Sequence, residues 1–320
     1  MHVKTISTPQ ELHYDLPISP ELSRQVESHR NLIKDIISGK SNKKLIVVGP
    51  CSIHDPGQAI TYGKYLKELQ KHVSDKYLLV MRVYFEKPRT TVGWKGLVND
   101  PELNGSFNID EGLRIARHLC LELLNLGLPL ATEVLDPFTI KYLSGIFSWV
   151  AIGARTTESQ THREIASGLP MAVGFKNSTS GDIQVALDAI KSAAFPHSYL
   201  GIDMNGVISK IYANGNQNTH VILRGGKIGK EYKTNYSKEY IDSLDIPVMV
   251  DCSHSNCEGD FKKQIEVAKE AIKSKNTFGL MIESNLEEGN QKISKNLLWG
   301  VSITDPCIGI LDTTNLIMEL

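Results

Sequence analysis

An excess of charge of either sign is missing from this sequence. Lys and Arg number 35 against 36 Asp and Glu, giving a formal net charge of −1. Bulk electrostatics therefore give no reason to expect nucleic acid or an anionic membrane as a partner. Aromatic residues make up only 7% of the chain, and no basic–aromatic face suggests binding of single-stranded nucleic acid. No apolar run approaches the ~20 residues that span a bilayer. The opening "MHVKTISTPQELHYDLP" lacks the apolar core and small-residue cleavage site of a signal peptide. The five cysteines are scattered and odd in number, unlike a disulfide framework. No GxGxxG follows the first apolar run, which argues against a nicotinamide cofactor. The expectation is a cytoplasmic protein with neither nucleic acid nor membrane as partner, in which any anion recognition is local.

What the chain does have is a repeat of pattern. Eight short β-branched and apolar runs recur, most ending in polar or charged residues: "LIVVGPCS" (45–52), "LLVMRVYF" (78–85), "PLATEVLD" (129–136), "WVAIGAR" (149–155), "MAVGFKN" (171–177), "VILRGG" (221–226), "PVMVDCSH" (247–254) and "TFGLMIES" (277–284). Eight is the number that a closed (β/α)8 barrel needs, and 320 residues accommodate one large barrel.

Helical patterns lie between most of the runs. Asp55 is placed to cap a helix with Pro56 at its first position, and Ala59, Tyr62, Leu66, Leu69 and Val73 then form one apolar face. Ile109, Leu113, Ala116, Cys120 and Leu124 form another, ended by Gly127 and Pro129. Residues 259–275 read as a third amphipathic helix. Two additions stand outside the bare barrel. Residues 1–40 form an N-terminal extension with a helix near Pro20–Ser38, an arm for oligomer contacts or regulation. Residues 197–220 read as a β-hairpin inserted before the sixth barrel strand, turning at Asn205–Gly206. The catalytic barrel is then 41–320.

Strand ends of such a barrel converge on one mouth. In order they supply Cys51, Arg82 and Lys87, Glu133, Arg155, Lys176, Arg224, His254 and Glu283. A lone cation is ordinarily a surface ion pair. Five at equivalent places are costly to gather without an anion, and point to a polyanion such as a phosphorylated carboxylic acid. Cys51, His254, Glu283 and Asp305 make a mixed thiolate, imidazole and carboxylate set suited to a divalent transition ion. Taken singly, each is more often a small core residue or a satisfied polar group; their shared placement makes the case. "RGGKIGKEY" (224–232) lacks the full spacing of a phosphate-binding P-loop.

At these strand ends the sequence closely resembles 3-deoxy-D-arabino-heptulosonate 7-phosphate (DAHP) synthases. The match is to the type I microbial form and its aromatic-amino-acid-regulated subgroup. The motifs are "GPCSIHD" (49–55), "MRVYFEKPRTTVGWKGLVNDP" (81–101), "IGARTTESQ" (152–160), "GFKN" (174–177), "HVILRGG" (220–226), "DCSHSN" (251–256), "ESNLEEGNQ" (283–291) and "SITDPCIG" (302–309). The resemblance implies a metal-dependent condensation of phosphoenolpyruvate with erythrose 4-phosphate. Cys51, His254, Glu283 and Asp305 then match the ligands of one divalent ion per subunit, manganese first, with iron, cobalt or zinc as alternatives. Arg82, Lys95, Ala154, Arg155, Lys176 and Arg224 match positions that hold phosphoenolpyruvate, and Arg89 and Thr90 those that hold the sugar phosphate. Lys87 matches a lysine near the metal and the reacting carbons, with Glu133 close by, so that Lys87, Cys51 and His254 are the candidate catalytic groups.

The family is often tetrameric and inhibited by an aromatic amino acid, so a homodimer or homotetramer under feedback control is expected. Gly201 is the residue more usual in tyrosine-sensitive forms. Two competing readings are a synthase acting on a five-carbon sugar phosphate, and a barrel that only senses sugar phosphates. "KPRTT" argues against the first, since that relative typically carries KANRSS there. The intact set of metal ligands, with Lys87, argues against the second.

Overall fold

The computed structural model describes residues 3–320; Met1 and His2, the start of the expected extension, lie outside the described residues. All eight apolar runs become strands. The first five are β1 (Lys44–Gly49), β2 (Tyr77–Arg82), β3 (Leu130–Glu133), β4 (Trp149–Ile152) and β5 (Ala172–Lys176). An antiparallel hairpin follows, β6 (His197–Ile202) and β7 (Ile208–Ala213). The series resumes at β8 (Thr219–Leu223), which is followed by a second small hairpin, β9 (Gly226–Ile228) and β10 (Glu231–Lys233). It ends with β11 (Val248–Asp251) and β12 (Thr277–Asn285), and β13 (Ile308–Gly309) pairs in parallel with the end of β12. The strands β1, β2, β3, β4, β5, β8, β11 and β12 pair in parallel in that order, and β12 pairs back onto β1. The sheet is therefore closed, a (β/α)8 barrel.

Ten helices complete the described residues: α1 (Pro9–Asp15), α2 (Pro20–Ile37), α3 (Pro56–Val73), α4 (Ile109–Asn125), α5 (Thr139–Tyr142), α6 (Gln160–Gly168), α7 (Gln184–Ala193), α8 (Lys238–Ser243), α9 (Gln264–Ala271) and α10 (Ile310–Glu319). The side chain of Asp55 accepts from the Gln58 amide and caps α3, with Pro56 at its first position. The five apolar residues foreseen on α3 are all buried, each large one stabilising by about 1.5–3 kcal/mol. Gly127, at φ +88°, closes α4 in the left-handed region.

Two local expectations change, and the hairpin turn gains detail. Ile109 is exposed at the start of α4. The helix expected over 259–275 shortens to a 3-10 turn, Phe261–Lys263, and α9. Gly259 at φ +88° and the cap from Asp260 start it late. The hairpin turn is a three-residue loop. The amide of Gly206 donates to the Asp203 carbonyl, and Gly206 takes φ +73°, a type I turn followed by a left-handed glycine.

The period-two alternation of strands divides the core into two layers. Ile46, Val48, Leu79 and Met81 pack outward with the helices. Leu45, Val47, Leu78, Val80, Ala131, Ala151, Ala172, Met249 and Met281 pack inside the barrel, together with Ile33 and Ile36 of α2. The helix of the N-terminal extension thus belongs to the barrel's own core. Continued by two residues, the inward positions at the other end are Arg82, Glu133, Lys176 by way of Gly174, Asp251 and Glu283.

Candidate active site

Around the barrel mouth lies a cavity of about 470 Å³ whose walls include Lys87, Arg89, Thr90, Glu133, Ala154, Arg155, Lys176, Arg224, His254 and Asp305. A larger open trough of about 790 Å³ between Tyr236 and Lys273 contains none of these groups. Glycine makes room where two strands bring backbone and side chain together. A Cβ on Gly153 would stand 2.4 Å from Glu133 Oε1, and one on Gly49 would stand 3.2 Å from the Arg82 Cβ. Arg82 and Lys95 are not part of the wall. Arg82 is fully buried and pairs with Glu283 at 3.1 Å. The Lys95 side chain is exposed, and its carbonyl accepts from the Lys87 amide at 2.8 Å.

At one side of the cavity, ligand atoms of Cys51, Glu283 and Asp305 all lie within 4.8 Å of one another. Cys51 Sγ is 3.3 Å from Asp305 Oδ2. Lys87 Nζ reaches both, at 3.0 Å from the sulfur and 3.6 Å from the carboxylate. Donors bonded to one ion at about 2.0–2.3 Å stand roughly 3–4 Å apart, so this trio fits a divalent cation. The mixed soft and hard donors favour a transition ion. Without a cation, burial and the Glu283 charge push the Cys51 thiol up to about 12. Burial opposes the charge on Lys87, but Cys51, Glu283 and Asp305 outweigh it and keep the ammonium protonated. Burial likewise opposes ionisation of Glu283, and His254, Arg82 and Lys87 hold it below its ordinary range.

The fourth expected ligand, His254, stands in the cavity wall and is not among these three clustered donors. Its backbone takes φ +57°, a conformation uncommon for a residue with a side chain and concentrated at functional sites. Its Nδ1 lies 2.9 Å from Asp251 Oδ2. Lys176 Nζ lies 2.9 Å from that same oxygen. Burial opposes the Asp251 charge, yet His254 and Lys176 hold the carboxyl well below its usual range.

Elsewhere on the wall, Arg155 donates to the Thr90 hydroxyl at 3.2 Å, and Arg89 Nε to the Trp94 carbonyl at 2.8 Å. Burial lowers the Arg224 pKa, the signature of a cation with too little counter-charge. A buried asparagine network sets its backbone: Asn177 Oδ1 accepts from the Arg224 amide, Asn235 Oδ1 from Gly225, and Asn256 Oδ1 from Asn235. Sequence reasoning passed over Asp251, Ser253, which donates to Glu283 Oε2 at 2.9 Å, and these asparagines. For Asp251 a signal existed, since it continues the inward series after Met249.

The fold and the mouth define a barrel whose strand ends assemble a cation-lined cavity against a thiol–carboxylate cluster. The pattern of the DAHP synthetase I family matches residues 15–317, and the chain belongs to that family. It is 48% identical to the Tyr-sensitive phospho-2-dehydro-3-deoxyheptonate aldolase of Escherichia coli K12, over 99% of this chain and 92% of the relative. To the Phe-sensitive enzyme of the same organism it is 46% identical, over 99% and 94%. The solved phospho-2-dehydro-3-deoxyheptonate aldolase of Francisella tularensis SCHU S4 superposes with a TM-score of 0.94 at 46% identity, covering 99% of this chain and 97% of that one.

Proposed function

We propose that this chain catalyses the condensation of phosphoenolpyruvate with D-erythrose 4-phosphate and water, giving DAHP and phosphate, the first step of the shikimate route to aromatic amino acids. The observation that carries this reading is the place of Lys87, in contact with the thiol–carboxylate cluster and also on the wall of the cation-lined cavity. Lys176, Arg155 and Arg224, with the backbone at Ala154, hold phosphoenolpyruvate. Arg89 and Thr90 hold the phosphate of the second substrate. Arg82 supports the site from below through Glu283, and Lys95 contributes from the loop that its carbonyl anchors. Two mutually repelling anions are thereby converted from an encounter into a positioned pair.

Cys51, Glu283 and Asp305, joined by His254, would hold the divalent ion, which when bound polarises the aldehyde and helps orient water. Carbon 3 of phosphoenolpyruvate attacks the aldehyde carbon as water, losing a proton to solvent, adds to its carbon 2. The resulting hemiketal phosphate then breaks its carbon 2–oxygen bond to expel phosphate as the hydroxyl becomes the ketone. The Lys87 ammonium stabilises the developing alkoxide and gives it a proton, an alkoxide being a stronger base than an amine. Glu133, kept in the wall by the absence of a side chain at Gly153, orients the groups beside the reacting carbons.

The test is phosphate release with erythrose 4-phosphate and with arabinose 5-phosphate, after chelation and add-back of single metals. Turnover with erythrose 4-phosphate alone, restored by a divalent ion and lost together with metal binding in a folded Cys51→Ala variant, is expected. Retained activity in metal-free buffer, or a preference for the pentose phosphate, overturns the reading.

Feedback control by an aromatic amino acid belongs to the same proposal. A cavity of about 210 Å³ between the inserted hairpin and α5–α6 is lined by Lys141, Ser144, Leu169, Tyr199, Gly201 and Ile211. Apolar walls with a cation at the edge suit an aromatic amino acid, and Gly201 favours tyrosine. Residues 1–40 act as the regulatory arm, anchored by α2 in the core of the catalytic barrel 41–320. Leu200, Ile208 and Tyr212 stand exposed on the hairpin, an apolar face that further copies would cover in a homodimer or homotetramer. No helix among the described residues is long and apolar enough to cross a membrane; a cytoplasmic location is part of the same proposal.

A further inference from the structure

We propose that Asp251 is a positioning residue that sets His254 and Lys176 as one unit, so that metal binding and phosphoenolpyruvate binding depend on a single buried carboxylate. The proposal rests on the reading above, in which His254 serves the metal ion and Lys176 the phosphoenolpyruvate. Asp251 ends β11 and is fully buried. Its Oδ1 accepts from the Ser253 amide at 3.0 Å, which fixes the carboxylate plane. The other oxygen, Oδ2, lies 2.9 Å from Lys176 Nζ and 2.9 Å from His254 Nδ1. Its carbonyl accepts from Asn256 at 2.9 Å, so the strand end is itself held from behind.

A carboxylate on Nδ1 selects the tautomer that carries its proton there. It also turns the ring and leaves Nε2 as the free donor atom, the usual support for a metal-bound histidine. The Lys176 ammonium has three N–H donors. Asp251 pairs with it as an ion pair and supplies the counter-charge beside a side chain only 3% exposed, leaving N–H donors for an anion. One oxygen shared by both groups means that neither can be displaced without loosening the other. The groups assigned to the sugar phosphate, Arg89 and Thr90, have no contact with Asp251 among the described hydrogen bonds and ion pairs.

Asp251→Asn keeps the shape and removes the charge. Competition with a chromogenic chelator, in the absence of substrates, should show manganese affinity falling by about 10- to 100-fold. At saturating metal, KM for phosphoenolpyruvate should rise at least about tenfold, the loss expected for one charge-assisted contact, with KM for erythrose 4-phosphate unchanged. In the wild type, ¹⁵N-histidine NMR, assigned by the signal missing from His254→Gln, should show the neutral His254 ring protonated on Nδ1. Unchanged metal affinity and phosphoenolpyruvate KM in a folded Asp251→Asn protein overturn the proposal. So does a neutral wild-type His254 ring whose proton sits on Nε2, a measurement that decides the matter even if the variant fails to fold. A wild type without metal-dependent turnover would instead remove the proposed reaction, leaving the tautomer result to judge Asp251 alone.

Discussion

Glu86 stands beside Lys87 and is the single anion between Arg82 and Lys95. In the fold it is buried, with Thr139 donating to its Oε1 at 3.2 Å. Burial and the nearby Asp136 push its carboxyl up to about 8. An unfolded chain would release that proton near the ordinary glutamate value, whereas the folded chain keeps it until about 8. Folding therefore takes up a proton in this window, and stability falls as pH rises through it, by roughly 1.4 kcal/mol for each unit of displacement. We expect wild type to lose stability relative to Glu86→Gln on going from about pH 5 to pH 9, in urea denaturation at a series of pH values. Parallel profiles would mean that Glu86 ionises normally in the folded protein. Neighbouring residues in sequence thus play opposite electrostatic parts: Lys87 is held charged by anions, and Glu86 is held neutral by burial.

At the scale of elements, most of the architecture was legible. A buried parallel strand must be apolar on both faces, and a helix laid against it must be apolar on one, so runs and periodicities report these elements directly. Caps at Asp55 and the stop at Gly127 are local chemistry and were read correctly. The late start of α9 was not, because amphipathic spacing continues through Gly259 and Asp260 while the backbone there does not. Gly127 offers a clean measurement: a Cβ there would meet nothing within 4 Å, and φ is +88°. Gly127→Ala should therefore cost about 1 kcal/mol of backbone strain alone. The denaturation midpoint should drop at constant slope, with turnover unchanged.

For the molecule as a whole, regulation is the question that joins barrel, arm and hairpin. The arm is tied down by Arg117, fully buried, which donates to the carbonyls of Leu16, Tyr142 and Ser144, and by Tyr142, whose hydroxyl donates to the Ser7 carbonyl at 2.9 Å. Beside this junction, a Cβ on Gly201 would stand 2.9 Å from Ile211 Cγ1, so Gly201→Ser must move a wall of the proposed effector cavity. The expected outcome is inhibition of wild type by tyrosine, weakened at least about tenfold in the variant, a penalty in the range for overpacking. Inhibition assays with each of the three aromatic amino acids check it, and indifference of the wild type to tyrosine would end the assignment.

The sequence by itself determined the eight strands, the barrel, the inserted hairpin and the polar character of most strand ends, since each of these follows from periodicity or from one residue's place in a local pattern. Only the tertiary structure decided how the polar side chains divide among themselves. Arg82 and Lys176 look alike as cations at strand ends, yet Arg82 pairs with Glu283 outside the cavity wall while Lys176, paired with Asp251, lines it. Cys51, Glu283 and Asp305 come together while His254 turns to Asp251. Depth, pairing and the sharing of one carboxylate oxygen depend on three-dimensional distances between residues remote in the chain. The closing of β12 onto β1 creates those distances.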